Sequence, residues 1–251
     1  MKQTPEIKGK ILVDLHCHPS KNHSVDEIVK KLSEGITGLI PSSYEDFLSY
    51  EDVLNLPGAK ELEKGLFAEV YYGGKKGYVL PCQEINTGFH VQAVGCKKML
   101  PKVNDAREAI EIIHKEGGIA VLNHPYVVPT DRRIIRYRLV NDAELKAVED
   151  LCAMVDEIEA FNAQNINLLP SVAWMKIANQ QATALATKHN FHGIASSDAH
   201  RLISQVRTAG IWVSSDYPCI DSLMRSILKG DFARHQDYVS IPSFLKGMFF
   251  S

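Results

Sequence analysis

Apolar and polar positions switch between two periods along the chain, and the switching predicts most of its elements. Residues 10–15 form a short apolar run with strand character. Ser24 and Glu27 then stand three apart ahead of Ile28, Val29 and Leu32, which predicts a capped helix that Gly35 stops. Residues 36–41 read as a second strand, and Ser42 with Glu45 suggests another helix start. Leu62, Leu66, Glu69 and Val70 are at helical spacing, so residues 62–72 are expected to be helical up to the Gly73-Gly74 pair. Strands are expected over 78–85 and 89–94, and Asn104 is expected to cap a helix through Ile113 that ends at Gly117-Gly118. Residues 119–123 have the uninterrupted apolar character of a strand buried on both faces. A helix from Asp142, a strand over 155–161, a helix over 174–188 and a strand over 193–195 follow. A last strand over 208–213 and a helix over 221–228 complete the pattern.

Strands and helices thus alternate, without a Pro/Gly/Ser linker, a low-complexity stretch or an internal repeat. The economical reading is one parallel α/β domain over residues 1–251. Roughly seven or eight strands in a chain of 251 residues favour a closed barrel over an open sheet. A barrel makes one demand: functional residues should stand where strands end on the C-terminal side.

Composition narrows the classes of function. Hydrophobic residues make up 45% and charged residues 23%, an ordinary globular balance that excludes a disordered chain. The formal net charge of -2 argues against nucleic acid as a partner, which needs a dense basic face. Five cysteines without a Cys-x-x-Cys pair argue against a disulfide framework or a thiolate zinc site and suit a reducing compartment. The residues 1–10 lack the apolar core of a signal peptide, and no apolar run approaches a membrane span, so a cytoplasmic protein without a membrane partner is expected.

The strand ends carry the chemistry. The first strand runs into Asp14-Leu15-His16-Cys17-His18, where positions i and i+2 project from one face and let His16 and His18 converge on one ion. His23 follows in the loop. Glu84 ends the strand over 78–85, His90 opens the next, and His124-Pro125 follows residues 119–123. Ser196-Ser197-Asp198-Ala199-His200 follows residues 193–195 and gives a second i, i+2 pair. Imidazole and carboxylate suit Zn, Mn or Fe, and so many groups exceed the needs of one ion, which points to a multinuclear site. Arg132, Arg133, Arg136 and Arg138 lie after His124, and Arg201 directly after His200; guanidinium groups so placed fit either phosphate contacts or a solvated loop. Glu159 and Asn162, at the end of the strand over 155–161, fit outer supports of the ligands, substrate contacts or a salt bridge.

Asp14-Leu15-His16-Cys17-His18, Glu84 after Val79-Leu80-Pro81, His124-Pro125 and Ser197-Asp198-Ala199-His200 resemble, in order, the successive motifs of the PHP (polymerase and histidinol phosphatase) superfamily. The resemblance spans roughly residues 10–213 and implies a distorted (β/α)7 TIM-like barrel with a metal site at its C-terminal rim. It implies a cofactor of two or three divalent ions and hydrolysis of a phosphoester. His16, His18, Glu84 and Asp198 match the ligands of a first ion, with Glu84 bridging to a second. Glu84 and Asp198 are thereby also the candidate catalytic groups. His124 and His90 match ligands of the second ion, and His23 and His200 match ligands of a third. The family's Thr-Asp-His motif is replaced by Ser42-Ser43-Tyr44, so a third ion is expected to be weak or absent, or held by Glu45 in place of Tyr44.

The function expected from this pattern is a phosphoric ester hydrolase that attacks a small phosphorylated substrate with a metal-bound hydroxide. A nuclease, a hydrolase of another bond on the same barrel, and a degenerate barrel that only binds its ligand are the alternatives.

Overall fold

The computed structural model describes residues 7–41, 46–129, 137–166, 174–216 and 219–249. At its centre lies β1 (Lys10–Pro19), buried from Leu12 to its end. The strand outruns the apolar stretch in the sequence because it finds partners on both sides of Leu15 and His16. Residues 10–13 pair antiparallel with Gly210–Ser214, and residues 17–19 pair parallel with Ala199–Arg201. These neighbours keep the backbone extended through His16 and His18, which the apolar pattern alone does not reach.

The remaining strands of the main sheet path are β2 (Ile36–Leu39), β3 (Lys75–Asn86), β4 (His90–Val94), β5 (Ile119–Leu122), β6 (Glu157–Asn162), β7 (Ile194–Ser196), β8 (Gly210–Ser214) and β9 (Ala233–His235). Their spatial order is β7-β6-β5-β4-β3-β2-β1-β8-β9, so neighbours in the chain are mostly neighbours in space. The segment Ala199–Arg201 carries the chain from β7, one end of the path, across to β1 near the other end. The result is a nearly closed barrel of nine strands in a mixed α/β fold.

Its direction is not uniform. β1, β2 and β3 are parallel, and so are β5, β6 and β7. β4 runs antiparallel to both β3 and β5. The link from β3 to β4 is only a turn around Gly88, whose φ is +90°, and a parallel return would need a crossover of a dozen residues or so. The reversal has a functional consequence. It places the first residue of β4, His90, at the rim where β3 and β5 have their last.

The helices follow the sequence pattern closely. α1 (Val25–Leu32) begins with the expected Ser24/Glu27 capping box and buries Ile28, Val29 and Leu32. α2 (Ala106–Lys115) is capped by Asp105, not Asn104, because the Asp105 carboxylate accepts from the N–H groups of Arg107 and Glu108. Its Ala109, Ile110 and Ile113 pack with Val148 and Leu151 of α3 (Asp142–Leu151) and with Ala120, Leu122 and Ile158 of the sheet. α4 (Trp174–His189) leads to β7, and α5 (Ile220–Lys229) lies between β8 and β9.

One element differs in kind. Residues 62–72 are not a helix but most of a hairpin, Ala59–Glu63 against Phe67–Tyr72, which pairs onward with β3. Ala68 and Val70 are buried there against β3 and α1, and Phe67 packs on Tyr78 and Leu80 of β3. The helical spacing of Leu62, Leu66 and Val70 was outweighed by an open sheet edge and by a run rich in aromatic and β-branched residues before the Gly73-Gly74 turn. The helix start read at Ser42 and Glu45 lies outside the described residues. The short helix nearby, Tyr50–Leu54, is capped by Ser49 and Asp52.

Candidate metal centre

Five strands deliver imidazoles and carboxylates to one rim. His16 and His18 come from the end of β1 and Glu84 from β3. His90 opens β4, His124 follows β5, and Asp198 follows β7. His16 Nε2 lies 3.2 Å from Glu84 Oε1 and 3.2 Å from Asp198 Oδ1. His18 Nε2 lies 3.8 Å from Glu84 Oε2 and 3.7 Å from Asp198 Oδ1. On its other side Glu84 Oε1 stands 3.0 Å from His90 Nδ1 and 3.5 Å from His124 Nε2. Ligand atoms about 2.1 Å from a shared ion, at tetrahedral or octahedral angles, are about 3.0–3.4 Å apart, so these separations suit common ions. Glu84 belongs to two such groups, one with His16 and His18 and one with His90 and His124.

The backbone is shaped for this convergence. The β1–β2 register shifts between Asp14 and Cys17, and the β6–β7 register shifts between Glu159 and Phe161, so irregular pairing sits beside the ligands. His124 has φ +27°, Asp198 +48°, Arg201 +67° and Arg207 +62°, conformations that residues with a Cβ seldom adopt. Such strain persists only where surrounding contacts over-determine it. Asp14 supplies some of them. Its buried carboxylate accepts from the Ser197 N–H at 3.0 Å and the Arg207 N–H at 2.7 Å, pinning both ends of the loop that bears Asp198 and His200.

A shell of polar groups backs the ligands. Glu159 accepts from the His124 N–H at 2.7 Å and from Asn162 Nδ2 at 3.0 Å, and lies 2.9 Å from His16 Nδ1. Asn162 Nδ2 also donates to Asp198 Oδ2 at 3.0 Å. Asn123 Nδ2 donates to Glu84 Oε1 at 2.9 Å. His124 Nδ1 is 3.3 Å from the Val127 carbonyl, which favours a proton there and turns the Nε2 lone pair toward Glu84. Sequence reasoning named Glu159 and Asn162 but not Asn123. A neutral amide carries no charge signal, and only its place beside His124 at a strand end could have drawn notice.

The electrostatics call for positive charge. Burial alone would raise the Glu84 carboxyl, but His90 and His16 outweigh it and hold it well below the usual range. Asp198 is likewise pushed up by burial and pulled further down by His16 and His200. Burial lowers His16, yet Asp198, Glu159 and Glu84 lift it well above its ordinary value. Burial also lowers His124, and contact with Glu84 leads the opposing effects that bring it to about 9. His18 has less such support: burial and the neighbouring His200 bring it down to about 3. The carboxylates are thus ionised, and protons on imidazoles supply the compensating charge, a place that a divalent ion can take.

The donor set fits an ion by a second criterion. His18 Nε2, both ring nitrogens of His90 and Asp198 Oδ1 are buried without a hydrogen bond. Buried polar atoms are nearly always paired, and these converge on the Glu84 and Asp198 groups.

The other residues read from the sequence fall outside that core or at its edge. His200 stands at the mouth with its side chain 42% exposed, 3.3 Å from Asp198 Oδ1. His23 belongs to none of the ligand groups among the described residues; its Nε2 lies 3.1 Å from the Ile203 N and 2.9 Å from the Arg201 carbonyl. Phe47, which sequence reasoning did not single out, packs its ring 5.4 Å from that of His18 and 6.2 Å from that of His200. Arg201 is part-exposed beside His200. Arg138 is bound at the surface to Glu144, at 2.7 and 2.6 Å. Arg132, Arg133, Arg136, Tyr44 and Glu45 lie outside the described residues.

Comparison with known proteins adds to this geometry. A family model, PHP-associated (PHP_C), matches residues 176–232, the segment that holds Asp198 and His200. A two-domain protein from Bacteroides vulgatus ATCC 8482 that contains a predicted PHP-like metal-dependent phosphoesterase superposes with a TM-score of 0.54. The two are 13% identical over 94% of this chain and 68% of that one. That likeness shows a shared fold, and the segment matched by the PHP-associated family model lies within it. A lesion-specific endonuclease from Pyrococcus furiosus superposes with a TM-score of 0.53 and 14% identity over 90% of this chain. This chain spans 57% of the endonuclease, little more than half its length. No curated protein sequence matches the chain. Among the described residues no helix is long and apolar enough to cross a membrane.

Proposed function

We propose that this PHP-type barrel is a metal-dependent phosphoesterase acting on a small phosphorylated substrate. The observation that carries the reading is Glu84, whose carboxylate stands between two groups of histidines contributed by separate strands. His16, His18, Glu84 and Asp198 would hold a first divalent ion, and Glu84, His90 and His124 would hold a second. When bound, such ions supply an activated water and positive charge for the phosphoryl oxygens. The chain's own groups keep the site dry and aimed. The rings of His18 and Phe47 wall the inner side, and the half-exposed His200 marks the way in. Arg201, next to His200 in the chain, is the first candidate to meet a phosphate, and Arg132, Arg133 and Arg136 are candidates for the same task. The reading takes two ions as sufficient, because His23 is turned to the backbone of residues 201–203.

The test is a hydrolysis screen of phosphomonoesters and short oligonucleotides with Mn2+, Zn2+ or Fe2+ restored to the chelator-stripped protein. Metal-dependent release of phosphate from monoesters supports the reading. Cleavage confined to oligonucleotides would make the chain a nuclease, and inertness with ions bound would leave a binding protein or a hydrolase of another bond.

A further inference from the structure

We propose that Glu159 is a positioning residue that couples the two ion sites, fixing the His16 ring and the His124 backbone with one carboxylate. The inference rests on the two-ion reading above. Glu159 is 1% exposed and belongs to none of the candidate ligand groups. One of its oxygens, Oε1, lies 2.9 Å from His16 Nδ1 and accepts the Ser196 hydroxyl. The other, Oε2, accepts the His124 N–H at 2.7 Å and Asn162 Nδ2 at 3.0 Å. These partners come from β1, β7, the turn after β5, and the end of β6 itself. A carboxylate offers about four acceptor directions, and all are taken, so the group has a single orientation.

Two consequences follow, one at each ion. With an ion bound, His16 would keep its proton at Nδ1 against Glu159 and give up the one at Nε2, the atom facing Glu84 and Asp198. His124 is held at φ +27°, where its Nε2 faces Glu84 from the other side. A shift of Glu159 therefore disturbs a ligand of the first ion and a ligand of the second together. An amide cannot do the same work. Glu159→Gln keeps the size but turns an –NH2 either toward the His124 N–H and Asn162 donors or toward His16. In the second case it drives the His16 proton to Nε2, the atom needed for an ion.

The experiment compares Zn2+ binding to the full-length wild type and Glu159→Gln by competition with a chromophoric chelator, alongside heteronuclear NMR of the histidine rings in the Zn2+-loaded wild type. The expected result is a rise of about 10–100-fold in both dissociation constants of the variant. The spectrum is expected to show the His16 proton on Nδ1, a readout that a purely structural role would not require and that stands even if the variant fails to fold. A proton on Nε2, an effect on one site only, or unchanged binding overturns the proposal while the two-ion reading survives. Absence of Zn2+ uptake by the wild type overturns the two-ion reading, and this inference with it.

Discussion

At the scale of single residues, one rim of the barrel collects buried imidazoles and carboxylates from five strands. Glu84 faces His16 and His18 on one side and His90 and His124 on the other. Replacing it with Gln keeps the shape and removes the charge that two cations would share. Glu84→Gln is expected to lower kcat by roughly 10²–10³-fold, the scale of losing one well-placed electrostatic group. Its far-ultraviolet dichroism should remain that of the wild type, and full activity with stoichiometric metal would contradict the bridging role. Asp14 has a different task, since its carboxylate accepts from the N–H groups of Ser197 and Arg207. Asn offers one acceptor oxygen for two donors. Asp14→Asn is therefore expected to cost about 1–3 kcal/mol in denaturant unfolding, the price of a buried unpaired group. The imidazoles and carboxylates at strand ends were legible in the sequence because their spacing is odd for a core. The supporting Asn123 and the wall residue Phe47 were not, since an amide and a phenyl ring are ordinary anywhere.

At the scale of elements, the fold is held by a few close approaches. Gly77 opens β3 against the end of α1, where a Cβ would lie 2.1 Å from the Leu32 carbonyl and 2.6 Å from that of Gly35. Neither oxygen can retreat easily, because the Gly35 carbonyl accepts the Tyr78 N–H at 2.8 Å. Gly77→Ala is expected to destabilise by about 1–3 kcal/mol or more, the range of an overpacked core, and a neutral result would show that β3 shifts freely. Ser24→Ala removes the cap of α1, whose side chain accepts the Glu27 N–H, and should cost about 0.5–2 kcal/mol in the same measurement. Caps and apolar faces are local signals, which is why most helices were legible to within a few residues. The Ala59–Glu63/Phe67–Tyr72 hairpin was not. Its helical spacing is real, and what overrides it is a distant sheet edge that no local window contains. The antiparallel course of β4 is a middle case. Both strands could be read, but their relative direction depended on how tightly residues 87–89 turn.

At the scale of the molecule, the barrel gathers carboxylates whose charge imidazole protons balance until an ion takes their place. Ions that bind the folded chain and not the unfolded one stabilise it by mass action, by about 2.7 kcal/mol at a hundred times the dissociation constant. Saturating Zn2+ or Mn2+ should thus raise the Tm by about 5–10 °C, and excess chelator should reverse the rise. The barrel and its rim follow from alternating strands and helices plus chemistry at strand ends, which the sequence displays. How many ions the rim takes does not follow, because His23 stands in the loop after β1, where strand spacing no longer fixes the direction of a side chain. The most direct measurement is anomalous diffraction from crystals of the protein grown with Mn2+ or Zn2+. The account expects one peak among His16, His18, Glu84 and Asp198 and a second among Glu84, His90 and His124, with Glu84 touching both. Peaks that avoid Glu84, or none at this rim in a protein that takes up the metal, would contradict it.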